Sequence, residues 1–117
     1  INPNNSDIYY NRGASKSKLK NYKGAIIDYT KAIEINPNNT KVYYNRGFLK
    51  VKLKDNYGAI SDFTKAIEIN PNYGRAYRNR GIAKENIGDL NGACSDWKKA
   101  IELGVTGAAE WVKNQCN

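Results

Sequence analysis

The chain is 117 residues long, 40% hydrophobic and 26% charged, a composition that suits one folded domain and excludes a disordered segment. Its formal net charge of +8 favours acidic partners: carboxylate-rich peptides, nucleic acid or anionic lipid. With no histidine and only Cys94 and Cys116, neither a histidine general base, nor a Ser-His-Asp or Cys-His nucleophile, nor a His- or four-Cys metal site can be assembled, so no enzyme and no cofactor is expected.

No apolar run approaches the roughly 20 residues that span a bilayer, and INPNNSD at the start lacks the basic and apolar regions of a signal peptide. A soluble chain without membrane insertion is expected. These residues do not name a compartment, and the cytoplasm is the default.

The opening INPNN recurs as INPNN and INPNY, so that Pro3, Pro37 and Pro71 stand 34 residues apart. That period divides a single domain, 1–117, into units 1–34, 35–68 and 69–102, each closing on KAIE. Because the chain opens inside a unit, a longer natural sequence is expected.

In the first unit YYNRG at 9–13 belongs to a first helix, and Asn21 is placed to cap a second. In the second unit Thr40 to Leu53 reads as a helix that buries Tyr43, Gly47 and Lys50, and Tyr57 to Ile69 as another, capped by Asp55, with Ala59, Phe63, Ala66 and Ile67 on one stripe. The third unit repeats the pattern with YRNRG at 77–81 and Asp89 as the cap. Between units proline stops the second helix, and Asn, Ser or Thr starts the next. Residues 105–116 read as a final helix, with Ala108, Ala109, Trp111, Val112 and Cys116 on one side, that solvates an open end.

Three repeated residues have readable jobs. Gly13, Gly47 and Gly81 let the two helices of a unit approach opposite Ala25, Ala59 and Ala93. Arg12, Arg46 and Arg80 each precede an aspartate by sixteen residues, at Asp28, Asp62 and Asp96, and Arg-Asp pairs are expected within a unit or between neighbours, with phosphate binding as the functional alternative. Cys94 takes the place of the core residues Ile26 and Ile60; if the chain turns near Val105, antiparallel helices also bring Cys116 beside it, and a disulfide then depends on an oxidising compartment.

The 34-residue period, the Tyr and Gly of each first helix, the small and aromatic residues of each second helix and the closing proline resemble the tetratricopeptide repeat. The residues concerned are Tyr9, Gly13, Ala25, Tyr29, Ala32 and Pro37, then Tyr43, Gly47, Ala59, Phe63, Ala66 and Pro71, then Tyr77, Gly81, Ala93, Trp97 and Ala100. Departures are the three arginines at a usually apolar place and Asn56-Tyr57, which inverts the position that Tyr22 holds. The C-terminal GACSDWKKAIELGVTGAAEWVKNQC is similar to the last repeat and cap of bacterial members. The resemblance implies an all-α fold, a right-handed α-solenoid of helix-turn-helix repeats with a C-terminal capping helix.

It also implies a non-enzymatic protein-protein interaction module whose first helices line a concave groove for a partner's peptide. Lys41, Tyr44, Asn45, Phe48 and Lys52 lie opposite Tyr43 and Gly47 on their helix, which places them in that groove. Tyr10, Tyr44, Phe48, Val51 and Ile82 would supply apolar contacts, and Lys18, Lys41, Lys52, Arg75 and Arg78 the cations for an acidic partner, with only Asp7 and Glu85 as anions. Asn11, Asn45 and Asn79 would bond a peptide backbone, although the same amides also fit a local or solvated role, and Phe48 and Ile82 also fit packing against a neighbour. The clamp by which chaperone-binding members hold an acidic C-terminus is mostly missing: Asn45 matches and Arg75 is conservative, but Tyr10, Ala14 and Asn79 stand where lysine, asparagine and arginine are required. Nucleic-acid binding and self-association through open repeat ends are the rival readings.

Overall fold

A computed structural model describes residues 4–116, and every regular element among them is helical. The helices are α1 (Ser6–Lys18), α2 (Tyr22–Ile35), α3 (Thr40–Lys52), α4 (Asn56–Ile69), α5 (Gly74–Asn86) and α6 (Leu90–Glu102), followed by a 3-10 turn, Thr106–Ala108, and α7 (Ala109–Gln115). Consecutive pairs form three helical hairpins, and contacts of α2 with α3 and of α4 with α5 stack them into a body of 52 × 25 × 20 Å.

One device closes all three hairpins. Lys20, Lys54 and Gly88 sit at φ of 63°, 65° and 89°. Their amides return to the carbonyls of Ser17, Val51 and Glu85 at 2.9 Å, and the next amides, of Asn21, Asp55 and Asp89, to Lys16, Lys50 and Lys84 at 2.8 Å, the double closure that a left-handed residue permits at a helix end. Asn21, Asp55 and Asp89 then cap the following helix, each accepting from the amide three residues on. The inverted Asn56-Tyr57 leaves this geometry intact. It turns Tyr57 out to 74% exposure and lets Asn56 Oδ1 accept from Asn86 Nδ2 at 3.0 Å.

The first helices of the second and third hairpins, α3 and α5, bury two faces, whereas the sequence pattern suggested one. Tyr43 and Gly47 face α4, as expected, while Val42 and Leu49 are 1% and 2% exposed and pack on Ala25, Tyr29 and Ala32 of the preceding hairpin. Lys50, on the expected face, is half-buried because its ammonium lies 3.1 Å from Asp62. The second core joins Ala59, Phe63 and Ala66 to Ala76 and Ala83, with Ile67 at its half-buried margin; the third joins Ala93 and Trp97 to Ala108.

The Arg-Asp pairs form as two-point bridges within each hairpin, Arg12 with Asp28, Arg46 with Asp62 and Arg80 with Asp96, at 2.7 to 2.9 Å. Lys16, Lys50 and Lys84 add a second cation at 3.1 Å to each carboxylate. Arg46 and Arg80 also donate to Thr30 and Thr64 of the previous hairpin, so these pairs tie neighbours together. At the C-terminus the packed segment is shorter than the pattern suggested. A 3-10 turn precedes α7, Ala109 faces out, and Cys116 lies just beyond the helix, joined by a disulfide to a half-buried Cys94.

Candidate functional site

Side-chain bonds link α3 to α1 and α5 to α3, and the 34-residue period lays the outer residues of these helices in rows across one face. One row runs Ala14, Phe48, Ile82, another Tyr10, Tyr44, Arg78, another Asp7, Lys41, Arg75, and another Lys18, Lys52, Asn86. Phe48, 43% exposed, is a ridge between two depressions. On one side a cleft of about 300 Å³ is lined by Ala14, Ser17, Lys18, Tyr29, Tyr44, Asn45, Phe48 and Leu49; on the other, Phe48, Val51, Asn79 and Ile82 enclose about 60 Å³.

Tyr44 is the centre of the face. Its ring stacks on Tyr73 at 4.9 Å and on Phe48 at 6.5 Å, and the Arg75 guanidinium lies 5.5 Å above it. Lys52 Nζ sits 5.0 Å over Phe48 and 5.8 Å over Tyr22. Lys41 projects from the first turn of α3, exposed. Burial raises the pKa of Tyr73, and it lifts that of Tyr29, in the cleft floor, to about 12, so both hydroxyls remain protonated at neutral pH.

Two of the three asparagines, Asn45 and Asn79, are engaged between hairpins. Asn45 Nδ2 donates to Tyr10 Oη at 3.1 Å and Asn79 Nδ2 to Tyr44 Oη at 2.8 Å. Asn79, whose Oδ1 also accepts from Arg78 Nε at 3.4 Å, is only 5% exposed and is therefore a packing group, not an open amide. Asn45 lines the larger cleft, and Asn11 is exposed. Arg78 is half-buried, its carbonyl accepting from Trp97 Nε1 at 3.2 Å. Tyr73 and Leu49 complete the face without having been singled out from the sequence, and Tyr29, expected only as a repeat-core residue, also lines the cleft. Leu49 could have been found as an apolar residue off the Tyr43–Gly47 stripe, which marks a second buried face.

Charge on this face is mainly positive, with Asp7 and Glu85 as its anions. The Arg-Asp-Lys sets use one group of cations, and Lys31, Lys65 and Lys99 pair with Glu34, Glu68 and Glu102. Among the described residues, Lys18, Lys41, Lys52, Arg75 and Arg78 have no carboxylate within ion-pair distance.

A tetratricopeptide repeat model matches residues 6–39 and 40–73, in frame with the helix starts, and a second such model matches 63–95. The chain belongs to the tetratricopeptide repeat family. Among solved structures this tetratricopeptide chain is similar to the first repeat domain of Spaghetti (RPAP3) bound to the HSP90 peptide SRMEEVD, at 27% identity and a TM-score of 0.89, over 97% of this chain and 91% of that one. It is also similar to the Arabidopsis OM64 repeat domain, at 28% identity and a TM-score of 0.89, over 96% and 93%. MamA matches at 28% identity and a TM-score of 0.86, over 92% of this chain and 63% of that one. No curated protein matches the sequence.

Proposed function

We propose that this chain is a non-enzymatic interaction module that holds a peptide segment of a partner protein on the face of α1, α3 and α5. The observation that carries the reading is the cleft of about 300 Å³ beside the exposed Phe48 ridge, edged by cations with no carboxylate partner. A partly apolar concavity with converging polar groups is the usual form of a binding site. Support comes from the two Spaghetti (RPAP3) repeat domains, both solved with the HSP90 peptide SRMEEVD, at 27% and 29% identity.

The partner differs from a chaperone tail in this reading. Tyr10 and Asn79, at two of the clamp positions, are tied into bonds with Asn45 and Tyr44, and Ala14 has no polar group to offer. Phe48, Tyr44, Asn45, Lys41, Lys52 and Arg75 form the contact surface, with Ile82 at its far end; Tyr10, Asn79 and Arg78 position it, and Asn11 stands at its open margin. Three repeats with a bacterial-type cap belong to the same reading. The Cys94–Cys116 bond favours an oxidising compartment over the cytoplasm.

Selection from a library of random and C-terminal peptides tests the proposal, with Phe48→Ala as counter-screen. Enriched peptides that carry carboxylates and lose at least about tenfold in affinity with Phe48→Ala support it, since an aromatic ridge at the centre of a contact surface is worth more than a rim contact. Enrichment that Phe48→Ala leaves untouched removes the site from this face.

A further inference from the structure

The edge of the solenoid where first helices end and second helices begin carries a feature that peptide binding does not use. Leu19 is 81% exposed, Leu53 40% and Tyr57 74%, large apolar side chains at turn tips, where polar residues are the rule. Each leucine is followed by a lysine, Lys20 or Lys54, held in the left-handed conformation at φ of 63° and 65°. The third turn shows what that position asks for: Gly88, at φ 89°, meets it without steric cost. A side chain of four methylenes and a charge at a place suited to glycine is a local cost without return inside the fold, because neither lysine has a carboxylate within ion-pair distance among the described residues.

The first two tips are neighbours. Lys52, at the end of α3, reaches over the ring of Tyr22, at the start of α2, at 5.8 Å, which sets the first and second turns side by side. Leucine and tyrosine at the surface, ringed by lysines, are the composition of an interfacial anchor: apolar tips enter the headgroup layer while cations meet anionic lipid. No helix among the described residues is long and apolar enough to cross a bilayer, so the contact is peripheral.

We infer that the turn edge carrying Leu19-Lys20 and Leu53-Lys54 docks this protein on the surface of an anionic membrane. Two exposed leucines distinguish a bilayer from nucleic acid, which offers phosphates for the lysines but nothing for an aliphatic tip. The inference is independent of the peptide face, since none of its residues lines the larger cleft.

Co-sedimentation with vesicles of phosphatidylcholine, with and without phosphatidylserine, tests it. The wild-type chain is expected to bind the anionic vesicles and to be released by salt. Lys20→Gly/Lys54→Gly is expected to raise Tm by a few degrees, by relieving the left-handed lysines, and to weaken binding by more than about tenfold, at roughly fivefold per lysine. Leu19→Ser/Leu53→Ser is expected to weaken binding by about tenfold, with the fold intact because both side chains are exposed. A rise in Tm without loss of vesicle binding would overturn the inference, as would equal binding to neutral vesicles. Binding to duplex DNA that exceeds binding to vesicles and ignores the leucine changes would overturn it in favour of a polyanion site.

Discussion

Arg46 and Asp62 meet through two bonds of 2.8 and 2.7 Å with the carboxylate almost fully buried, and a third bond carries Arg46 to Thr30 of the neighbouring hairpin. Removing the arginine alone leaves Asp62 with only Lys50. Arg46→Ala is therefore expected to cost about 3 kcal/mol in a denaturant melt, and Arg46→Ala/Asp62→Ala less, because no buried charge is stranded. Arg12, 53% exposed against 16% for Arg46, lacks the threonine bond, so Arg12→Ala should be the milder change. The ion-pair bond from Arg12 keeps the Asp28 pKa below its ordinary value, and burial raises that of Tyr29 to about 12. The signs are opposite. Asp28 contributes stability above the ordinary carboxylate range and loses it as pH falls through its lowered value; Tyr29 contributes fully below its ordinary value near 10 and loses it as pH rises toward 12. Thermal melts across pH should show both limbs, with Asp28→Asn flattening the acid one and Tyr29→Phe the alkaline one.

At the scale of elements, each hairpin depends on the closeness of its two helices. A Cβ on Gly81 would overlap the Trp97 ring, reaching 2.6 Å from Cδ1, and that indole is fixed by its bond to the Arg78 carbonyl. Gly81→Ala is expected to cost about 2 kcal/mol, read by chemical denaturation, since overpacking outweighs the helix propensity gained. The pairing of helices was legible because Gly81, Trp97 and the Arg-Asp partners recur at constant spacing inside one hairpin. The role of the asparagines was not. Asn45 and Asn79 bond tyrosines 35 residues earlier, and that contact depends on how far one hairpin is offset against the next, a quantity no local pattern encodes.

For the whole molecule, stability accumulates from hairpin to hairpin, and the C-terminal end is secured covalently. The disulfide closes a loop across a separation of 22 residues and holds the short α7 against Trp97. Reduction, or Cys116→Ser, is expected to lower stability by about 3 kcal/mol, with near-ultraviolet circular dichroism of Trp97 and Trp111, 5.2 Å apart, as the local probe. If the near-ultraviolet signal and the global melt are both unchanged by reduction, the bond is not part of the folded protein.

Sequence alone determined the helical repeat, its 34-residue period, the caps of the second helices, the matching of each arginine to an aspartate and the excess of positive charge, because each rests on residues close in the chain or on exact recurrence. Tertiary structure decided which face of α3 meets the preceding hairpin, that the amides of Asn45 and Asn79 serve neighbouring tyrosines, that Phe48 stands between two depressions, and that the first two lysine-leucine turns are neighbours. These depend on the stacking of one hairpin on the next, which sets side chains tens of residues apart within bonding distance, and only close packing in three dimensions fixes that offset.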